Sequence, residues 1–321
     1  MSLEKKILES SEQTILFGYE SYFKLFINLM QKKKLPNVIL FSCPKGIGKS
    51  TFAYHLINYF LSIKEENKYS TNLFEINLLN PSFNLMKNYI HPNFFLIDKN
   101  SDDSDIKIDK IRDLLKFLSK STYSKDLKVI LIDNAEFLNL NSSNALLKSL
   151  EEPSVNTYFF IIHNNSSYLS NTLKSRCVEF KISFSTKEKK EIMKKLFDKY
   201  KIEINFERIE SLFNFETPGN ILKYLFMLNQ FDFDISKIDL SLISILMDKY
   251  KTIKDVEILC FLTLMIEKYY NNLSLTDSSN VNNYYFKKEK ILYLIHNMKT
   301  FNLDKKNILI SINKILKNEK K

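Results

Sequence analysis

Residues 43–51 read Cys-Pro-Lys-Gly-Ile-Gly-Lys-Ser-Thr, so that Gly46, Ile47, Gly48, Lys49, Ser50 and Thr51 have the types and order of a phosphate-binding loop. In the pattern G-x-x-x-x-G-K-[ST], successive backbone N–H groups curl around the β- and γ-phosphates. The lysine neutralises them, and the Ser/Thr hydroxyl ligates Mg²⁺. Cys43 stands where the pattern has its first glycine, and a Cβ strains that turn if the site requires positive φ. A second chemical group is Asp133, which ends the apolar run Lys128-Val129-Ile130-Leu131-Ile132. A carboxylate at the end of such a strand, beside a phosphate loop, holds Mg²⁺ through water. Hydrolysing ATPases usually place glutamate next, to orient the attacking water. Here the next residue is Asn134, which hydrogen-bonds water without accepting its proton. Glu136 could serve instead only if the backbone redirected it.

Such a loop works only between a buried strand and a helix whose N-terminus faces the anion. Asn37–Phe41 is a short apolar run fit for a buried parallel strand, and Thr51–Ser62 places Phe52, His55, Leu56, Tyr59 and Phe60 at helical spacing. A chance Gly-Lys-Ser in a lysine-rich chain is the competing reading, and the strand–loop–helix order argues against it. Further strands are expected at 94–97, 128–132, 158–162 and 178–182, alternating with helices. That alternation predicts an α/β fold with a parallel sheet. Between residues 62 and 94 the chain is Asn-rich and reads as loop, and the acidic run at 100–105 reads as a surface loop without the glycine and terminal glutamate of a calcium-binding hand.

After Ser183 helical periodicity takes over, over Glu188–Tyr200, Glu207–Phe213, Pro218–Asn229, Leu240–Tyr250, Ile253–Tyr270, Lys287–Met298 and Lys305–Lys317. Breaks fall at 202–206, 232–239 and 271–283, the last read as a long Asn/Ser loop. The expected organisation is a P-loop nucleotide-binding domain over 1–183, a small helical lid over 184–236 and an all-helical C-terminal domain over 237–321.

The chain has 321 residues, 45% hydrophobic, with 26 Phe and 17 Tyr but 4 Gly and no Trp, which suits a helix-rich protein of several domains. No apolar stretch approaches the roughly 20 residues that span a bilayer, and no signal-type segment follows Met1-Ser2-Leu3-Glu4-Lys5-Lys6. A cytoplasmic location without membrane contact is expected. Cys43, Cys177 and Cys260 form no C-x-x-C pair, so neither disulfides nor zinc are expected. The net charge of +10 leaves nucleic-acid proximity open, although the lysines are scattered.

Asn144-Ala145-Leu146-Leu147-Lys148-Ser149-Leu150-Glu151-Glu152-Pro153 closely resembles the N-A-L-L-K-x-L-E-E-P segment of bacterial clamp-loader subunits, and Ser175-Arg176-Cys177 resembles their S-R-C motif. Leu35-Pro36-Asn37 with Gly46–Lys49 is similar to their phosphate-loop region, and His91-Pro92-Asn93 to the H-P-D before their next strand. The likeness covers residues 15–180. It implies an AAA+ P-loop domain, a helical lid and a helical collar. Two branches of the family are candidates, the delta-prime branch and the ATP-hydrolysing tau or gamma motor. Cys43, Asn134 after Asp133, and Glu216-Thr217-Pro218-Gly219-Asn220 in place of a sensor arginine are three departures from the motor pattern. They point to the delta-prime branch. An unrelated P-loop kinase is a remoter alternative, because the lid region offers only Arg208.

The resemblance further implies a five-subunit ring with ATP at subunit boundaries, assembled with tau or gamma and delta subunits, and acting on a sliding clamp and primed duplex DNA. Arg176 would be the arginine finger that serves a neighbour's γ-phosphate; a structural alternative pairs it with a carboxylate such as Glu179. Ser175 and Cys177 would position and pack its loop. In the chain's own site Lys49 would hold phosphate, Ser50 and Asp133 would serve Mg²⁺, and Asn164 would approach the γ-phosphate as a sensor. His163 would be a local hydrogen-bonder. Tyr19 and a helix over 15–36 would border the adenine. Ala145, Leu146, Leu147 and Leu150 would pack on the sheet, with Asn144 and Lys148 facing DNA non-specifically. ATP and Mg²⁺ are the cofactors implied, with weak or absent hydrolysis. The four-cysteine zinc module of the family has no counterpart in 61–128.

Overall fold

Strand β1 (Val38–Cys43) is buried at all six positions because it lies between two parallel neighbours and under helices on both faces. The computed structural model describes residues 7–100, 103–120, 127–202, 216–231, 239–301 and 303–317. With β2 (Phe94–Ile97), β3 (Lys128–Ile132), β4 (Thr157–Asn164) and β5 (Val178–Phe180), β1 forms a sheet in the order β2-β3-β4-β1-β5. Every pairing is parallel; Val38 registers with Phe159, Cys43 with Asn164, and Ile132 with Ile161. Strands buried on both faces need apolar side chains at every position, hence the continuous runs seen in the sequence. The α/β parallel-sheet expectation is borne out.

The helices of this part are α1 (Glu20–Gln31), α2 (Lys49–Ser62), α3 (Pro81–Lys87), α4 (Ile108–Ser119), α5 (Leu140–Glu151), α6 (Asn171–Lys174) and α7 (Thr186–Tyr200). One face of the sheet is sealed by an aromatic cluster in which Tyr19 stacks on Phe52 at 4.6 Å between centroids and Phe23 on Tyr69 at 4.9 Å. His55 is buried there, between the Tyr69 hydroxyl (2.9 Å) and Gln13 O (3.0 Å), and burial pushes its pKa down to about 3. It is neutral and structural.

Two expectations change in this part of the chain. The helix expected over 15–36 spans only Glu20–Gln31, with Tyr19 as its N-cap and residues 15–19 outside it. The Asn-rich stretch before β2 contains α3: the Asn80 side chain accepts from Phe83 N, and Pro81 occupies the first helical position, where its missing N–H costs nothing.

The chain divides into two compact units, one over Glu4–Glu203 with Phe215–Leu222 and one over Lys223–Lys321. Helix α8 (Pro218–Gln230) begins in the first and ends in the second. The second unit is wholly helical among the described residues: α9 (Leu240–Ile253), α10 (Val256–Thr276), α11 (Val281–Thr300) and α12 (Lys305–Lys317). Its core joins Leu246, Phe261, Ile266, Ile295 and Ile312, all buried, and Tyr224 stacks on Phe261 at 4.5 Å. The break expected over 271–283 shrinks to residues 277–280, because α10 runs on to Thr276 and the Asp277 carboxylate accepts from Ser279 N, Ser279 Oγ, Asn280 Nδ2 and Tyr284 Oη to fold a tight turn. The helix expected over 207–213, Arg208, and most of the break at 232–239 lie outside the described residues. No described helix is long and apolar enough to cross a membrane.

Candidate functional site

The phosphate loop joins β1 to α2 as the motif requires. Gly46 (φ +81°) and Gly48 (φ +101°) take the left-handed conformations that an L side chain disfavours, and Gly48 caps α2. Cys43 does not share this geometry: it is the last residue of β1, in extended backbone, and is 1% exposed. Its thiol accepts from Ile182 N at 2.9 Å, tying the end of β1 to the segment after β5. The strain anticipated from the missing glycine is therefore absent, because positive φ falls on Gly46 and Gly48. Ile47 is buried, and Tyr19 Oη donates to its carbonyl at 3.0 Å. Tyr19, 2% exposed, thus supports the loop from beneath and presents no open face to a base.

Lys49 is buried, and its ammonium donates to Cys43 O (2.6 Å) and Pro44 O (2.9 Å); burial lowers its pKa. The rest of the loop is engaged by the start of α8. Thr217 Oγ1 donates to Lys45 O at 2.8 Å and Gly219 N to Gly46 O at 2.8 Å. A Cβ at Gly46 would meet Asn220 Oδ1 and Thr217 Oγ1 at 2.4 Å each. The segment Glu216–Asn220, where a sensor arginine would fall, instead lays its backbone on the loop.

On the acidic side, Asp133 follows β3 with its carboxylate hydrogen-bonded by Ser50 and by Asn134 N. Burial, then the nearby Asp98, raises its pKa to about 6. Asp98, unremarked in the sequence, ends β2 as Asp133 ends the adjacent β3, and the same signature of an apolar run closed by aspartate could have found it. Its Oδ1 accepts from Asn134 Nδ2 at 2.8 Å. Asn134 has φ +55°, and this turn redirects the chain so that the Glu136 carboxylate accepts from Asn164 N at 3.2 Å. Glu136 also sits close enough to raise the pKa of Lys49.

Asn164 ends β4 opposite Cys43, with its Oδ1 taken by Ser166 N and Ser166 Oγ. His163 bonds Ser42 Oγ and Ser167 O, a local hydrogen-bonder as expected. Lys49, Ser50, Asp133, Glu136 and the Asn164 backbone therefore gather at the carboxyl ends of β1, β3 and β4. A lysine held by carbonyls, a serine on a buried carboxylate and two left-handed glycines fit a nucleotide phosphate with Mg²⁺, which Ser50 and Asp133 would hold and whose charge would offset that of the buried Asp133. Thr51 lies in the first turn of α2. Among the described residues no group of three or more His, Cys, Asp or Glu forms a metal cluster.

Arg176 lies apart from this set, in the turn between α6 and β5. Its Nε donates to Glu151 Oε1 at 2.6 Å, its Nη2 donates to the same oxygen, and its Nη1 donates to Thr172 O at 2.6 Å. The structural pairing of Arg176 with a carboxylate is thus formed, and the carboxylate is Glu151 at the end of α5 rather than Glu179. Ser175 Oγ donates to Thr172 O, and the half-buried Cys177 thiol to Leu173 O; burial raises that thiol to about 12, which leaves it unreactive. On α5, Leu146 and Leu150 are buried, Ala145 and Leu147 half-buried, and Asn144 and Lys148 exposed.

A family model described as DNA polymerase III, delta subunit, matches residues 18–186. The DNA polymerase III subunit delta' of Pseudomonas aeruginosa is 42% identical over 89 residues, covering 28% of this chain and 27% of that one. Its counterpart in Buchnera aphidicola subsp. Schizaphis graminum is 29% identical over 161 residues, covering 50% and 47%. The matches thus span from about a quarter to about half of the length of these relatives. A solved gamma subunit-related protein of Thermotoga maritima covers 93% of this chain and 99% of its own at 18% identity, with a TM-score of 0.47. On the family match over more than half of its length, the chain belongs to the DNA polymerase III delta subunit family.

Proposed function

We propose that this chain is the delta-prime-type subunit of a clamp loader, assembled with tau or gamma motor subunits and a delta subunit to place a sliding clamp on primed DNA. The observation that carries this reading is Arg176. It is one of three arginines in the chain, sits in a Ser-Arg-Cys turn, and has a part-exposed guanidinium held in one orientation. Guanidinium suits bidentate contact with phosphate, and an arginine supplied in trans stabilises charge that develops on a transferring phosphoryl group. Arg176 serves the neighbour in this way.

In the chain's own site Lys49 and the loop amides would hold phosphate, and Ser50 and Asp133 would hold Mg²⁺; ATP with Mg²⁺ would supply binding energy to the assembly. The residues there bind and orient more than they react. Asn134 cannot take a proton from water, and no arginine lies in Glu216–Asn220 to reach the γ-phosphate. Hydrolysis by this site is weak or absent. The exposed Asn144 and Lys148 of α5 would face duplex backbone, in contacts that weaken with salt. The boundaries 1–183, 184–236 and 237–321 stand as the proposed division into P-loop, lid and collar domains.

The test is clamp loading on primed DNA by partner subunits with and without this chain. Omission should abolish loading; loading that persists without it overturns the assignment. A second reading, an ATP-hydrolysing motor, is favoured by one observation, the delivery of Glu136 to Asn164. Single-turnover hydrolysis by the purified chain that collapses in both Lys49→Ala and Glu136→Gln would establish it.

A further inference from the structure

Arginine carries five N–H donors in a planar fork. In this chain Glu151 Oε1 takes Nε and one N–H of Nη2, and Thr172 O takes one N–H of Nη1, with Ser175 Oγ 3.5 Å from the same nitrogen. Nη2 retains one N–H, and the second N–H of Nη1 has only the long contact to Ser175 Oγ, which a phosphate oxygen can replace. Those two remaining donors are what a bidentate phosphate contact uses. The anchors come from different elements: Glu151 closes α5, Thr172 belongs to α6, and the two helices pack against each other. The guanidinium is therefore braced on two sides, by the Glu151 carboxylate and the Thr172 carbonyl, on helices that pack against each other.

Stability does not explain this arrangement. The Arg176 and Glu151 side chains are 28% and 47% exposed. Ion pairs at such sites contribute little to folding. Orientation is different, because an unbraced arginine samples many rotamers and only a few aim at a given phosphate. We propose that Glu151 is a positioning residue: it fixes the Arg176 guanidinium so that its two outer N–H groups are presented to the phosphate bound by the neighbouring subunit. This rests on the reading of Arg176 as a finger in trans. The opposite effect, a carboxylate that masks the finger, would come from its negative charge. At an exposed site that charge is screened by water and salt, so orientation dominates.

The experiment uses the complete complex reconstituted with partner subunits, and reads steady-state ATPase with clamp and primed DNA for wild type, Glu151→Ala, Glu151→Gln, Arg176→Ala and the double variant Glu151→Ala/Arg176→Ala. Glu151→Ala should lower kcat roughly 10-fold with KM for ATP unchanged. Glu151→Gln keeps an acceptor for Nε and should recover most of that loss. The double variant should be no slower than Arg176→Ala alone, since a positioning residue has nothing left to position. A purely structural role would instead add to the loss in the double variant. If Arg176→Ala collapses activity while Glu151→Ala leaves kcat unchanged or raises it, the positioning role is wrong and the finger stands. If Arg176→Ala leaves activity intact, the finger reading itself falls and the positioning role falls with it.

Discussion

The contact between the start of α8 and the phosphate loop makes Gly219→Ala diagnostic, because two physical effects oppose each other there. Gly219 follows Pro218 in the first turn of a helix, and alanine is favoured over glycine in helices by at most about 1 kcal/mol. Propensity alone thus expects stabilisation. A Cβ at Gly219, however, would stand 2.6 Å from Gly46 O and 3.2 Å from Gly46 C and Cα, all backbone atoms that cannot rotate away. Relieving that overlap requires the two segments to separate, at about 1–3 kcal/mol for overpacking. The Gly219 N to Gly46 O hydrogen bond would go with it, worth roughly 0.5–1.5 kcal/mol. The net expectation is a loss of about 1–3 kcal/mol, or roughly 3–9 °C in Tm at the sensitivity of a large domain. Thermal unfolding followed by circular dichroism reads this directly. A Tm equal to or above wild type would refute the close approach of Gly219 to the loop.

Restoring the motif's first glycine should hurt. Cys43→Gly removes a buried side chain and the thiol that accepts from Ile182 N, and places glycine in a strand, for a loss of about 1–3 kcal/mol in urea unfolding. It should not tighten binding of a fluorescent ATP analogue, and tighter binding would contradict the extended geometry at that site. Asp133→Asn should reveal a pH-dependent penalty. With its pKa raised to about 6 from an ordinary value near 3.9, Asp133 binds a proton more tightly folded than unfolded. Its contribution to stability therefore falls as pH rises from about 4 to about 6, and the full penalty is present above 6. The variant should exceed wild type by on the order of 1–3 kcal/mol at pH 7.5, converging near pH 4. Urea midpoints at pH 4, 5.5 and 7.5 check this, and a difference independent of pH would rule it out.

Strands and loop were legible because burial on both faces imposes a local, unbroken apolar run on β1, β3 and β4, and because Gly-Ile-Gly-Lys-Ser permits few geometries. The motif's gap at Cys43 was visible, but its consequence was not. The sequence position alone does not say that positive φ falls on Gly46 and Gly48, with Cys43 still in the strand. Helix α3 hid in Asn-rich composition, although Asn80-Pro81 is a helix-start signal. Likewise α10 continues past Tyr270 through a polar stretch to Thr276, where the Asp277 carboxylate gathers Ser279, Asn280 and Tyr284 in the turn. The remaining features are long-range. Glu151 reaches Arg176 across 25 residues because α5 ends beside α6, a closeness that the chain order does not show. The cover of Thr217 and Gly219 on Lys45 and Gly46 bridges over 170 residues and leaves no local trace. Glu136 depended on one left-handed residue, Asn134, a conformation asparagine tolerates but does not announce.

We propose a division of labour in which Arg176 acts on a neighbour's ATP while Lys49 serves a site that need not turn over. It is tested most directly by DNA-stimulated ATPase of the reconstituted complex carrying either Arg176→Ala or Lys49→Ala in this chain. A loss of about 10³-fold or more at the one affected site is expected for Arg176→Ala, and near-wild-type turnover for Lys49→Ala. Equal losses in the two variants, or a larger loss for Lys49→Ala, would contradict it.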